Sequence, residues 1–150
     1  MDFCEYGGRD YIVVVDRVTG YISSEQTPNQ GTNAAIKVIQ NWSLLFGYPL
    51  LVISDSGGGF RKTFKEKLRN LNVRHKHSSA YHPQSNSLAE RAVGSLKHSL
   101  KKSPKHISKL NLKEIIFEIN STVSQEMTGS TNNRFLMRSV RSLLPNSIDP

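Results

Sequence analysis

The run Tyr11-Ile12-Val13-Val14-Val15 constrains the fold more than any other stretch of this chain. Five consecutive apolar residues, mostly β-branched, are too few for a buried helix and present no polar face, so they predict a buried central strand. Gly7-Gly8 just ahead is hairpin chemistry, which makes the segment from Asp2 to Tyr6 an antiparallel neighbour. Asp16-Arg17-Val18-Thr19-Gly20 then turns the chain back into a third strand, expected from Tyr21 to Ser24.

After this meander the apolar spacing changes period. Ile36, Ile39, Trp42 and Phe46 recur every three to four residues, predicting a helix capped by Thr32 or Asn33 and ended by Gly47 and Pro49. The run from Leu50 to Ser54 predicts a buried strand, and Phe60, Phe64, Leu68 and Leu71 line one face of the next helix. A short edge strand is expected from Val73 to His77. The polar stretch Ser78 to Ser87 then leads into a helix from Leu88 to Lys102, ended by Ser103-Pro104. A further helix from Leu112 to about Ser121 turns Leu112, Ile115, Ile116 and Ile119 inward. Residues 1–125 read as one folded core and residues 126–150 as a polar, arginine-containing tail. Three antiparallel strands followed by alternating helices and strands make an α/β protein whose mixed sheet is covered by helices.

Charge is distributed unevenly along the 150 residues. Residues 1–60 carry three basic side chains against six acidic ones, whereas residues 61–113 carry fourteen against only Glu66 and Glu90. A positive segment of that density is the footprint of a polyanion-binding surface, whose affinity falls steeply with salt. The single cysteine, Cys4, excludes an internal disulfide and fits a reducing compartment. No run is apolar enough to span a bilayer and no secretory leader is visible, so no membrane is expected; no small-molecule substrate is expected either.

Three acids stand in settings that suit metal ligation. Asp2 opens the first strand, Asp55 ends an apolar strand just before Gly57-Gly58-Gly59, and Glu90 lies in the first turn of a helix. Asp55 and Glu90 also have ordinary readings: Asp-Ser-Gly is good turn chemistry, and a glutamate near a helix start interacts favourably with the helix dipole. Convergent carboxylates from two strand ends and a helix would hold two magnesium ions, a set suited to phosphodiester chemistry. Along the Glu90 helix, Gly94, Lys97 and Lys101 share the glutamate's face, so an acid stands beside a lysine stripe. His75, His77, His82 and Cys4 lack the spacing of a tetrahedral zinc cluster. Asp16 reads as a turn residue.

The segments Ile53-Ser54-Asp55-Ser56-Gly57, Tyr81-His82-Pro83-Gln84-Ser85-Asn86 and Ala89-Glu90-Arg91-Ala92-Val93 resemble the catalytic core of retroviral and long-terminal-repeat retrotransposon integrases. Asp2-Phe3 followed by Tyr11 to Arg17 is similar to that core's opening. The resemblance runs from residue 2 to about residue 145. It implies a ribonuclease H-like fold with a mixed five-stranded sheet, three antiparallel strands first, flanked by helices. It further implies catalytic and metal-binding roles for Asp2, Asp55 and Glu90, with Mg2+ or Mn2+ as cofactor. One ion would activate a water or a DNA 3′-hydroxyl and the other would steady the leaving oxygen, giving end processing and strand transfer.

DNA is the implied partner, contacted by Tyr81, Gln84, Arg91, Lys97 and Lys101, and further copies of the chain complete a multimer. The nucleus or a retroelement particle is the implied setting of a functional protein, and an intracellular one otherwise. The alternative implied by the same resemblance is a catalytically silent, retroelement-derived DNA-binding module. Three departures from the family pattern bear on that choice. Asp55 and Glu90 are separated by 34 residues, one fewer than is usual, and Ser87 replaces a customary glycine. Only Met1 precedes Asp2, which predicts a frayed first strand and weak or no catalysis in isolation.

Overall fold

The computed structural model describes residues 1–78, 87–102, 109–122 and 130–136. Strands β1 (Asp2–Tyr6), β2 (Arg9–Val15) and β3 (Ile22–Thr27) form an antiparallel ladder with β2 in the middle. The β1–β2 turn uses Gly7 and Gly8 at φ of 61° and 70°, the left-handed pair that a two-residue hairpin requires. The next turn is closed by the Asp16 carboxylate, which accepts hydrogen bonds from the Thr19 N–H at 2.9 Å and the Thr19 hydroxyl at 2.5 Å. This matches the turn role read for Asp16.

Helix α1 (Thr32–Phe46) crosses to β4 (Leu51–Ser54). A 3₁₀ turn at Gly58–Phe60 and helix α2 (Lys62–Asn70) then lead to β5 (Arg74–His77), which pairs with β4 in parallel. Helices α3 (Ser87–Lys102), α4 (Lys109–Ser121) and α5 (Thr131–Leu136) complete the described elements. The five strands thus form a mixed sheet in two hydrogen-bonded halves, β1–β2–β3 and β4–β5. Across the seam the Met1 amino group donates to the Ile53 carbonyl at 2.6 Å.

Alternation along β2 builds two apolar layers, one on each face of the sheet. Ile12 and Val14 pack with Ile36 and Ile39 of α1, Phe64 and Leu68 of α2, and Phe60. Tyr11, Val13 and Val15 pack on the other face with Ala92, Leu96 and Leu100 of α3 and with Leu112 and Ile116 of α4. Burial on both sides is what the unbroken apolar run of β2 demanded.

Several local expectations change. Neither Thr32 nor Asn33 caps α1; Gly31 holds the cap position, and the Thr32 hydroxyl donates to the Gly59 carbonyl at 2.9 Å. The strand expected to be buried at residues 50–54 is half open, because only Val52 and Ser54 are buried while Leu50 and Leu51 are 81% and 40% exposed. β3 runs on to Thr27 through the polar segment Ser23-Ser24-Glu25-Gln26, held by its ladder with β2. The helix stop expected at Ser103-Pro104 lies outside the described residues. The expected fraying at the start is replaced by docking, with Met1 only 7% exposed.

Asn120 ties α4 to the outer edge of the sheet. Its buried amide accepts from the Ile22 N–H at 2.9 Å and donates to the Ile22 carbonyl at 2.7 Å. Within the stretch expected as a polar tail, α5 packs back on the core: the Thr131 hydroxyl donates to the Asn120 carbonyl, and Phe135 stacks on Tyr21 at 4.2 Å.

Candidate functional site

The site candidates follow from strand parity. On β1, Met1 and Phe3 join the α1–α2 layer and Cys4 joins the α3–α4 layer, so Asp2 shares the α3 side with Cys4. On β4, Val52 belongs to the α1–α2 layer, so the alternate positions Ile53 and Asp55 turn toward the side on which α3 lies. Asp2 and Asp55 therefore flank the seam between the two half-sheets. Glu90 approaches in the first turn of α3 and is exposed.

Electrostatics record this proximity. The Asp2 carboxyl is held above the usual carboxylate range, first by burial and then by the negative charge of Asp55, with a smaller contribution from Glu90. The Met1 ammonium and the Phe3 backbone act in the opposite direction. Burial lowers the Met1 amino group from 8.0 to about 6, against the pull of Asp2 and Asp55. Among the described residues, no three His, Cys, Asp or Glu side chains are grouped closely enough to hold a metal ion. The donor chemistry is right for a hard divalent cation, all carboxylate oxygen, and the mutual repulsion at Asp2 is the kind a cation relieves. The spacing has not closed around a single ion.

Asp55 is positioned by an arrangement that the sequence did not disclose. Its Oδ1 accepts the Gly57 N–H at 3.0 Å, so the carboxylate begins a local turn. Its carbonyl accepts from the Ser54 hydroxyl at 2.9 Å and from Nδ1 of His77 at 3.1 Å. Because the Ser54 proton is used there, Nε2 of His75, 2.9 Å from the Ser54 oxygen, is the donor in that pair. Nδ1 of His75 is then a bare buried acceptor. Protonating it would create a donor with nothing to bond. Burial first, then the charges of His77 and Lys65, lower His75 from 6.5 to about 4.

The register Ser54↔His77 carries this clamp from β5 to β4. Its one sequence signal was the alternation His75-Lys76-His77, which puts both imidazoles on one face, edge to face with centroids 4.5 Å apart.

Glu90, Gly94, Lys97 and Lys101 are all exposed, while Ala92, Leu96 and Leu100 are buried, so the acid and the lysines share the solvent face of α3. Lys97 lies near β1, since its charge acts on Cys4. Arg91 is exposed and its Nε donates to the Ser87 carbonyl at 3.3 Å. Tyr81, Gln84 and His82 lie outside the described residues. No helix among the described residues is long and apolar enough to cross a membrane.

No family model matches the chain. An uncharacterised protein of Caenorhabditis elegans is 28% identical over 123 residues, covering 80% of this chain and 10% of that protein. The Pro-Pol polyprotein of simian foamy virus type 3 is 33% identical over 92 residues, covering 61% of this chain and 8% of the polyprotein. The chain therefore spans a tenth or less of the length of these relatives. Among solved structures, the catalytic core domain of BIV integrase superposes with a TM-score of 0.76 at 19% identity, covering 91% of each chain. A chain of the simian T-cell lymphotropic virus intasome superposes with a TM-score of 0.77 at 21% identity, covering 99% of this chain and 57% of that one. Three antiparallel strands, a parallel pair and flanking helices in this order are thus the retroviral integrase catalytic-core fold, carried by a sequence whose relatives include retroviral polyproteins.

Proposed function

We propose that this chain is an integrase-type core acting on DNA, with Asp2, Asp55 and Glu90 as ligands for magnesium or manganese. The single observation that carries this reading is the parity of β1 and β4, which turns both aspartates toward the α3 side, with Glu90 near enough to act on Asp2. A bound divalent cation would supply charge stabilisation and nucleophile activation for phosphodiester hydrolysis and strand transfer. The chain's own residues do the rest. Ser54 and His77 hold the Asp55 backbone, the exposed Glu90 side chain is free to swing toward the aspartates, and Lys97 and Lys101 offer phosphate contacts along the same face. In the same reading Arg91, Tyr81 and Gln84 would also contact DNA. Further copies of the chain would complete the assembly, as in an intasome, in the nucleus or a retroelement particle.

The second reading is a DNA-binding module that has lost catalysis. It is favoured by the acids that do not close around one ion. One experiment separates the two: joining of a labelled DNA end to target DNA with magnesium or manganese, beside salt-dependent binding of the same DNA. The first reading expects Asp55→Asn and Glu90→Gln to abolish joining while binding stays nearly unchanged. Equal joining by variants and parent removes it. Salt-sensitive binding with no joining by any form, metal present, selects the second.

A further inference from the structure

The basic stretch that begins at residue 61 is one run in the sequence but two faces in the fold. On β5, His75 meets Phe64 of α2, so the alternate residues Arg74 and Lys76 turn toward the side on which α3 lies. The cations of α2 go the other way. Phe64 and Leu68 bury one side of that helix against the sheet, so Lys62, Lys65 and Arg69 stand exposed on its outer side. Steps of three and four residues keep these three in one row. Lys67 leans toward α1 and donates to Oδ1 of Asn33 at 2.6 Å, and one turn further along α1 the exposed Lys37 widens the row. With Arg61 at the α2 cap, these two helices carry six cations against one acid, Glu66.

Two observations separate this row from an ordinary solvated helix face. Its single acid lies 3.9 Å from Lys62, and Lys65 and Arg69 have no acidic partner among the described residues. Arg61 and Lys62 stand at the helix start, where the dipole favours acids, so the stability of α2 does not account for them. The row is also independent of the lysines on α3. Two helix layers, each about 10 Å across, and the sheet between them separate the two faces. That is well beyond the roughly 8 Å over which exposed charges act at physiological salt.

We propose that the outer face of α2 is a second binding site, for the phosphodiester backbone of a nucleic-acid duplex, separate from the surface along α3. From Lys62 to Arg69 the row measures about 10 Å along the helix axis, the span of about three phosphates on one strand. Three exposed cations on that span match the phosphate charge one for one. Contacts of this kind hold the backbone and carry no sequence information, so the site binds without regard to base sequence. Because the two faces lie back to back, one molecule can hold two duplexes at once. None of the three acids belongs to this face, so the site does not rest on the integrase reading.

The test treats the full chain with a lysine-acylating reagent, alone and with a mixed-sequence DNA duplex, an RNA duplex or polyglutamate. Expected is acylation of Lys62 and Lys65 slowed several-fold by a duplex and not by polyglutamate, the DNA and RNA arms showing which backbone is preferred. The second measurement isolates the face in a background carrying Lys97→Gln and Lys101→Gln. There, adding Lys62→Gln, Lys65→Gln and Arg69→Gln should reduce the slope of log affinity against log salt by about 2–3. Unprotected Lys62 and Lys65, an unchanged slope, or equal protection by polyglutamate each overturns the proposal. Protection of Lys62 and Lys65 with none at Lys97 and Lys101 supports it and removes the α3 contact surface instead.

Discussion

The two half-sheets are held together by different means. The meander β1–β2–β3 is joined by short turns, with Gly7-Gly8 and the Asp16–Thr19 bonds closing each reversal within a few residues. The pair β4–β5 is parallel, four residues a strand, and must be connected through α2. Its order depends on side chains: Phe64 against His75 at 4.9 Å, His75 on Ser54, His77 on Asp55. The difference teaches that Asp2 belongs to a locally specified unit and Asp55 to one specified by tertiary packing. Any chemistry needing both inherits the weaker of the two.

Hollowing the parallel half should have the largest effect. Phe64 is fully buried, so Phe64→Ala is expected to cost about 3–5 kcal/mol by urea denaturation. Amides of β4 and β5 should lose exchange protection before those of β2; uniform loosening would erase the distinction. Next is Gly59→Ala. A Cβ there meets the Gln30 carbonyl oxygen and lies 2.7 Å from the Phe3 ring, so it pushes the 3₁₀ turn away from β1. The expected cost is about 2–3 kcal/mol, with the Phe3–Phe60 stack, now 5.0 Å between centroids, displaced in a crystal structure of the variant.

A smaller change should act on the meander side alone. Asn120→Ala removes both bonds to Ile22, and about 1–2 kcal/mol is expected, with the Ile22 amide exchanging faster and β5 unaffected. The smallest effect is one of pH. His75 stays neutral in the fold down to about 4 but takes a proton near 6.5 when unfolded. Between those values the unfolded state binds more protons, so stability falls as pH drops from about 6.5 toward 4 and is flat above that window. Because His75 is partly exposed, solvent screening reduces the effect to about 1 kcal/mol. Comparing urea midpoints at pH 7 and pH 5 checks it, and His75→Gln should flatten the difference.

The fold was largely legible in the chain because its signals are local. The apolar run of β2, the Gly7-Gly8 turn and the helical spacing of Ile36 and Ile39 each specify an element without reference to distant residues. What escaped depended on partners. β3 continues through Glu25 and Gln26, poor strand formers alone, because Ile12 and Tyr11 of β2 lie opposite them. Thr32 looked like a cap because nothing in the sequence shows the Gly59 carbonyl waiting for its hydroxyl. For the candidate site, parity was readable from the strands, and it is enough to put Asp2 and Asp55 on one side. The clamp of Ser54, His75 and His77 beneath Asp55 was not, since it exists only once β5 has taken its register beside β4.

The Asn120 amide has a consequence for how copies of this protein meet. An outermost strand normally offers bare peptide groups on which another molecule can template, the first step of runaway aggregation. At Ile22 that invitation is withdrawn, because a carboxamide from α4 imitates the missing neighbour and occupies both positions. Growth of one sheet into the next is therefore blocked at this point of the β3 rim, and an incoming chain would first have to evict a side chain that is 1% exposed.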